Sequence, residues 1–523
     1  MRLLTTSWLL FLGFLIFYTL VAIYLNVVLQ IYHNDAISRT ALAFFTTFGR
    51  DPHLAAIGFV WQPFPSFAQI PLIVLLKPFG LTTLAGPLVT SFFGALSVLI
   101  IYKIGTLLVN DIKNILPLLI TIFFGLNPLI VLYSALGTSE MIFVMCLNLS
   151  SWFLVKYFYY QNQTDLLLGG GAIAFSFWSR YEAVPAFFGS LFIITLYMFF
   201  RRFHIKRIES TAFQYILIFV YSVLLWLLAN WVIMKNPFYF MNNPFSNSTY
   251  TEALKTTPGL LENSYHSVIN SLKYVLNRSL YLTPILWLVP LIGIPLNKYT
   301  IHHPRNLFLL SFLTIPFLSV LIFHVFQLWN GDSFGWLRFY IYTIPMGALI
   351  GFYLARKHLY LGVLAVSFMT LGIYTTLFAI SEPGLGNEEV TFFRKIVDNK
   401  TQLDFSRTYL DQKRVASFMD DLPGNILLET DQGFAIPLFS KHPERYIISS
   451  DIDFLEIVRN YQNHADWIII PQPRSNDRNQ NNIYKYHPEI WEGGAPDTKL
   501  HKQIDGWRIF KVIRSDQTYP ASL

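Results

Sequence analysis

The feature that most constrains this chain is the recurrence of uncharged apolar runs long enough to cross a bilayer. Trp8 to Leu29 alone gives 22 consecutive residues without a charge, and a helix needs about 20 such residues to span the hydrocarbon core. Runs of this kind fall near 7–29, 84–108, 115–135, 138–158, 166–180, 183–200, 211–234, 280–296, 307–329, 339–355 and 361–380, about eleven in all. Those at 166–180 and 183–200 are short, and the polar SRYE at 179–182 separates them. Backbone polar groups inside a bilayer must be bonded within their own segment, so the expected fold is an α-helical polytopic membrane protein. Composition agrees: of 523 residues 54% are hydrophobic and 13% charged, well outside the range of ordinary soluble domains. The first run is longer than a signal-peptide core and has no small-residue cleavage site after it, so it reads as a retained span.

Charge is unevenly spread. From Ser381 onward 17 Lys and Arg stand against 21 Asp and Glu, a net −4, whereas the preceding part carries 21 against 10, a net +11. The overall +7 therefore belongs to loops between apolar runs, and a nucleic-acid partner is not expected. With the N-terminus cytoplasmic, Lys113, Lys156, the RRFHIKR stretch at 201–207, Lys298, Arg305, Arg356 and Lys357 all fall inside, as the positive-inside rule asks. An odd number of spans then places the C-terminal domain on the extracytoplasmic side, across the plasma membrane in a prokaryote. The expected division is a membrane domain at 1–381, with its first extracytoplasmic loop at 31–80, and a soluble domain at 382–523.

In that tail, NILLET (425–430), RYIISS (445–450), DWIIIP (466–471) and WRIFKVI (507–513) read as strands, with RVASFMDDL (414–422) and DIDFLEIVRNY (451–461) as helices between them. Helices alternating with strands make a small C-terminal α/β domain. It holds no G-x-G-x-x-G or P-loop. Cys146 is the only cysteine, which excludes disulfides and a cysteine-based zinc site.

The topology puts five polar features on the extracytoplasmic side: the first loop, the turn carrying Glu140, the SRYE turn, the 235–279 loop and the NGDSFGWLR turn at 330–338. The first loop contains His33, Asp35, Arg39, Arg50, Asp51, His53, Gln62 and Lys77. Its segment 34–48 has apolar residues at helical spacing, Ile37, Ala41, Phe44 or Phe45, and Phe48, with Gly49 and Pro52 as stops. It reads as an amphipathic helix lying on the membrane surface. Asp35 is either the N-cap of that helix, with Arg39 as its partner one turn on, or a carboxylate placed to take a proton from an attacking hydroxyl.

Glu140 likewise combines a place in the first turn of its helix with a place on the active side. Arg180 and Glu182, set between two spans, must pair or face an aqueous cavity. Arg338, beside Trp336 and Tyr340, is either an interfacial anchor or a bidentate phosphate ligand, and Lys77 offers a second cation. No H-E-x-x-H, C-x-x-C or D-x-D occurs at a useful position, so scattered carboxylates leave a hard divalent ion, Mg2+ or Mn2+, as the class of metal to consider.

Taken together, NDAISR (34–39), RDPHLAAIGFVWQPFPSFAQIPL (50–72), GTSEMIF (137–143), SRYEAVP (179–185) and WLRFYIYTIP (336–345) resemble the GT-C class of polytopic glycosyltransferases. The similar group is glycosyltransferase family 39-like, comprising the protein mannosyltransferases and aminoarabinose transferases. That resemblance implies transfer of a sugar from a polyprenyl-phosphate donor to a hydroxyl on a protein, lipid or glycan acceptor, with inversion. Asp35 would be the general base; Arg338, Lys77 and Arg180 would hold the donor phosphate; and Glu140, Glu182, His53, Trp61 and Gln62 would orient the substrates. Where that group often carries an acidic pair, this chain has Asp35 followed by Ala36, which favours a single base over a metal held by adjacent carboxylates. A transporter or flippase is the competing class, expected to show interrupted helices and midplane charges.

Overall fold

The structure is a computed structural model that describes residues 2–109, 115–243, 263–288, 304–398, 409–473 and 481–514. The chain divides into two compact units, one comprising 1–29, 60–65 and 87–401, the other 30–59, 66–86 and 402–523. In this grouping helix Pro383–Asp398 lies with the membrane helices, and most of the first loop lies with the tail.

The first unit is helical. Among the described residues eight helices are long and apolar enough to span a membrane: Thr5–Val28, Thr82–Leu108, Glu140–Tyr160, Ala183–Phe200, Ile205–Met234, Arg305–Asn330, Leu337–Lys357 and Leu359–Ser381. A ninth, Ile115–Gly125 followed by Pro128–Leu136, is bent by 57°. Pro128 has no N–H to continue the helical ladder, and Asn127 caps the second half, its Oδ1 accepting from the Leu129 amide at 3.0 Å. Of the other two expected segments, 166–180 lies on a 15-residue helix, Gln163–Phe177, and 280–296 is described only to residue 288, including a short 3-10 turn at Pro284–Trp287. Lys113 and Lys298 lie outside the described residues. The chain is a multi-pass integral membrane protein. Its helices approach closely where side chains are smallest: a Cβ on Gly94 would overlap Ser134, and one on Gly189 would overlap Ser319, the small-residue contact that replaces hydrophobic drive in lipid.

The second unit is built on a five-stranded sheet of order β2-β1-β3-β5-β4, formed by β1 (Ile426–Leu428), β2 (Tyr446–Ile448), β3 (Trp467–Pro471), β4 (Thr498–Ile504) and β5 (Trp507–Val512). β1 pairs in parallel with β2 and β3, while β5 runs antiparallel to β3 and β4. Four strands fall within the expected runs. β4, TKLHKQI, is missed by an apolar pattern because nearly all of it is exposed.

Alternation along the strands sends side chains to two different cores. Ile426, Leu428, Ile448, Trp467 and Ile469 face one side, and Leu427, Ile447, Ile468, Ile470 and Phe510 the other, the period of two that a pleated strand imposes.

Helix Asn34–Phe48 forms as the pattern predicts, but its apolar stripe is not left for lipid. Ile37, Ala41, Phe44 and Phe45 join Val415, Met419, Ile426, Ile448 and Ile469 in one core. Burial of each Phe is worth about 2 kcal/mol, so the stripe is accounted for by this core. Ion pairs reinforce the attachment: Arg50 Nε donates to Asp451 at 2.9 Å, its Nη2 bonds Asp453, and Asp51 accepts from the Ile452 amide at 3.1 Å.

Candidate functional site

Several ionisable residues of the helical unit converge on one buried cluster. Glu140 opens the Glu140–Tyr160 helix, and Arg180 and Glu182 occupy the turn between Gln163–Phe177 and Ala183–Phe200. Arg180 is held by both carboxylates. Its Nη1 donates to Glu140 Oε1 at 2.7 Å, and its Nε and Nη2 reach Glu182 Oε1 at 3.0 and 2.6 Å. Burial by itself would raise the Glu182 pKa, but the Arg180 charge and its hydrogen bonds hold it below the usual carboxylate range.

Arg338, 4% exposed, sits in the short turn before the Thr343–Lys357 helix. Its Nε is 3.8 Å from Glu140 Oε1 and its Nη1 3.8 Å from Glu388 Oε2. The guanidinium also stacks on Trp336, 4.4 Å from the ring centroid. Arg338 thus combines a ring contact with two nearby carboxylates. Of the remaining expected residues in this unit, Gln62 is buried and Trp61 exposed. Their segment is tied to the 178–181 turn by Tyr181 Oη donating to Val60 O at 3.2 Å and by the Phe64 amide donating to Trp178 O at 3.1 Å.

Four further participants escape the sequence patterns. Glu388 pairs with Arg338 as above. Glu389, fully buried, accepts from Tyr133 Oη at 2.6 Å, and that hydroxyl lies in the field of Glu389, Arg338, Glu388 and Glu140. His324, inside the Arg305–Asn330 span, feels Glu182 and Arg180. Its Nδ1 pairs with Gln327 Oε1 at 3.1 Å. A histidine within an apolar run is a signal in itself, since intramembrane ionisable groups are costly and retained for use; the NEEV sequence at 387–390 is hidden by its place in a charge-rich tail.

Three buried polar atoms of this cluster have no hydrogen-bond partner among the described residues: Glu389 Oε2, His324 Nε2 and Tyr342 Oη. The last of these faces Arg180, Glu182, Glu140 and Arg338. Each such atom costs about 1–3 kcal/mol in the folded chain, a cost that a polar ligand can offset. Counting Glu140, Glu182 and Glu388 against Arg180 and Arg338 leaves the cluster one negative charge in excess before Glu389 is considered. Among the described residues no group of three or more His, Cys, Asp and Glu side chains is arranged to hold a metal. The carboxylates of this cluster are engaged by guanidinium groups or a tyrosine.

The other three expected residues belong to the sheet unit. Asp35 lies half-buried in the first turn of Asn34–Phe48. The cap is His33, whose Nδ1 accepts from the Asp35 amide at 3.2 Å. His53 Nδ1 bonds the Asp51 carbonyl at 2.6 Å. Lys77 lies over the Phe48 ring, 4.0 Å from its centroid.

No known protein-family profile matches the chain, and no curated protein does. Among solved structures it is similar to the oligosaccharyltransferase of Archaeoglobus fulgidus in its apo form, at 11% identity and a TM-score of 0.41, over 98% of this chain and 75% of that one. A likeness at that level defines neither family nor activity.

Proposed function

We propose that the chain is a membrane glycosyltransferase of the GT-C kind, moving a sugar from a polyprenyl-phosphate donor to a hydroxyl acceptor. The observation that carries this reading is the buried cluster itself. Two guanidinium groups and four carboxyls are drawn together from turns and helix ends of a membrane bundle, with three polar atoms unbonded, an arrangement whose burial cost is hard to explain by packing alone.

In this reading Arg338 holds the donor phosphate through its fork of donors, with Arg180 and Lys77 adding charge. Glu140 and Glu182 orient hydroxyl groups, and His53, Trp61 and Gln62 line the path. Asp35 takes the acceptor proton as the hydroxyl oxygen attacks the anomeric carbon, and the phosphate leaves with inverted configuration. The C-terminal domain works on the extracytoplasmic side, and the acceptor is a protein, lipid or glycan.

Asp35→Asn tests the base assignment. Normally inserted variant protein should lose about 10²- to 10⁴-fold in transfer; retained transfer removes Asp35 from the role. The 57° break at 126–128 favours a second reading, a transporter or flippase with an interrupted helix. Flux of donor lipid across liposomes with no covalent product would establish that alternative.

A further inference from the structure

Glu389 has no part in the reaction as set out above, yet its surroundings are those of a group that handles a proton. The residue lies in helix Pro383–Asp398, just after Asn387, whose φ of 39° and ψ of −108° interrupt that helix. A non-glycine residue held there is strained, at the point where the chain turns Glu388 and Glu389 into the cluster. One carboxyl oxygen, Oε1, is taken by the Tyr133 hydroxyl, and Oε2 is buried without a partner.

The charges that face it are few. Arg338 comes from the turn before the Thr343–Lys357 helix and Glu388 from its own helix. The packed helix Leu359–Ser381 contributes no charged residue, and Arg278 donates to Gly384 O at the start of the same segment, 3.1 Å away. Burial raises the carboxyl to about 7, so it keeps its proton to a higher pH than an exposed glutamate does. A cluster already one negative charge in excess disfavours a fourth carboxylate, which acts in the same direction.

Resting on the glycosyltransferase reading, we propose that Glu389 Oε2 is the proton donor to the departing lipid phosphate. A neutral carboxylic acid kept in an apolar site is a hydrogen-bond donor to an anion, as an ionised one is not. When the anomeric C–O bond to phosphate breaks, that oxygen keeps the electron pair and the phosphate changes from a singly to a doubly charged group. The Oε2 proton passes to it, giving a singly charged hydrogen phosphate and a Glu389 carboxylate beside Arg338. The acceptor hydroxyl proton goes separately to the general base, and exchange with water restores both groups.

The test uses the purified full-length protein. Infrared difference spectra of wild type against Glu389→Gln should show a protonated-carboxyl band that fades as pH rises through neutrality, is missing in the variant, and shifts when farnesyl phosphate is added. Transfer from polyprenyl-phosphate sugars should fall about 10²-fold in Glu389→Gln, and the alkaline limb of the wild-type pH profile should vanish. Tyr133→Phe, which frees Oε1, should move that limb and provides a second variant if the first is poorly folded. Wild-type rate and profile in Glu389→Gln would overturn the proposal, and so would a band that farnesyl phosphate leaves in place. A shifted band without transfer by the wild type would overturn the transferase reading instead, leaving phosphate-coupled protonation of Glu389 standing.

Discussion

Two buried glutamates, one in each unit, show how a folded chain treats charge it uses for structure and charge it holds in reserve. Glu429, at the end of β1 in the sheet unit, is 3% exposed, and both of its oxygens are bonded. Ser449 donates to Oε1, while the Asn482 amide and side chain donate to Oε2 at 3.0 and 3.1 Å. Glu389 in the helical unit is as deeply buried, but only Oε1 has a partner. Burial raises the pKa of both. The difference lies in satisfaction: a fully bonded carboxylate fixes a loop, whereas a half-bonded one leaves an oxygen for chemistry.

The comparison is broken most severely through activity. Glu389→Gln should lose about 10²-fold in transfer, whereas Glu429→Gln, assayed per folded molecule, should stay within a fewfold of wild type. Equal losses would erase the distinction. Stability gives the reverse order. Glu429→Gln places an amide against donors and should cost about 1–3 kcal/mol, read as a lower unfolding midpoint of the full chain in detergent, while Glu389→Gln should cost less.

The pH dependence sharpens the contrast. Because the folded-state value of Glu389 is raised from 4.5 to about 7, the folded chain holds a proton that the unfolded chain has released. Stability from this group is therefore full below 4.5 and lost as pH rises to about 7. The difference in unfolding midpoint between wild type and Glu389→Gln should shrink or reverse across that window; a constant difference would show that the carboxyl is ionised throughout. The smallest effect is expected at Arg50→Ala. Its pairs with Asp451 and Asp453 are partly exposed, with Arg50 26% accessible, and should contribute about 1 kcal/mol to the attachment of helix Asn34–Phe48 to the sheet, read in the same melts.

Much of this architecture is legible in the sequence because lipid and sheet both impose periodicity. Runs without charge mark the spans, and NILLET, RYIISS, DWIIIP and WRIFKVI mark the strands. What escapes is what periodicity does not encode. The stripe of Asn34–Phe48 is amphipathic in sequence whether it meets lipid or protein, and only the fold shows it buried in the core that also takes residues of β1, β2 and β3. Asp35 resembles a cap until His33 is seen to be one. At the site, Glu140, Arg180, Glu182 and Arg338 stand out as charges beside apolar runs and do converge. Tyr133, Glu388 and Glu389 do not stand out, because a tyrosine in an apolar run and a glutamate pair in a charged tail are common in isolation.

The most direct measurement is product analysis after the purified protein is supplied with a panel of polyprenyl-phosphate sugars and hydroxyl acceptors. One sugar joined to an acceptor with inverted configuration is expected, with release of the lipid phosphate, and loss of both in Arg338→Ala. Intact donor across the panel, or undiminished product from Arg338→Ala, would contradict it.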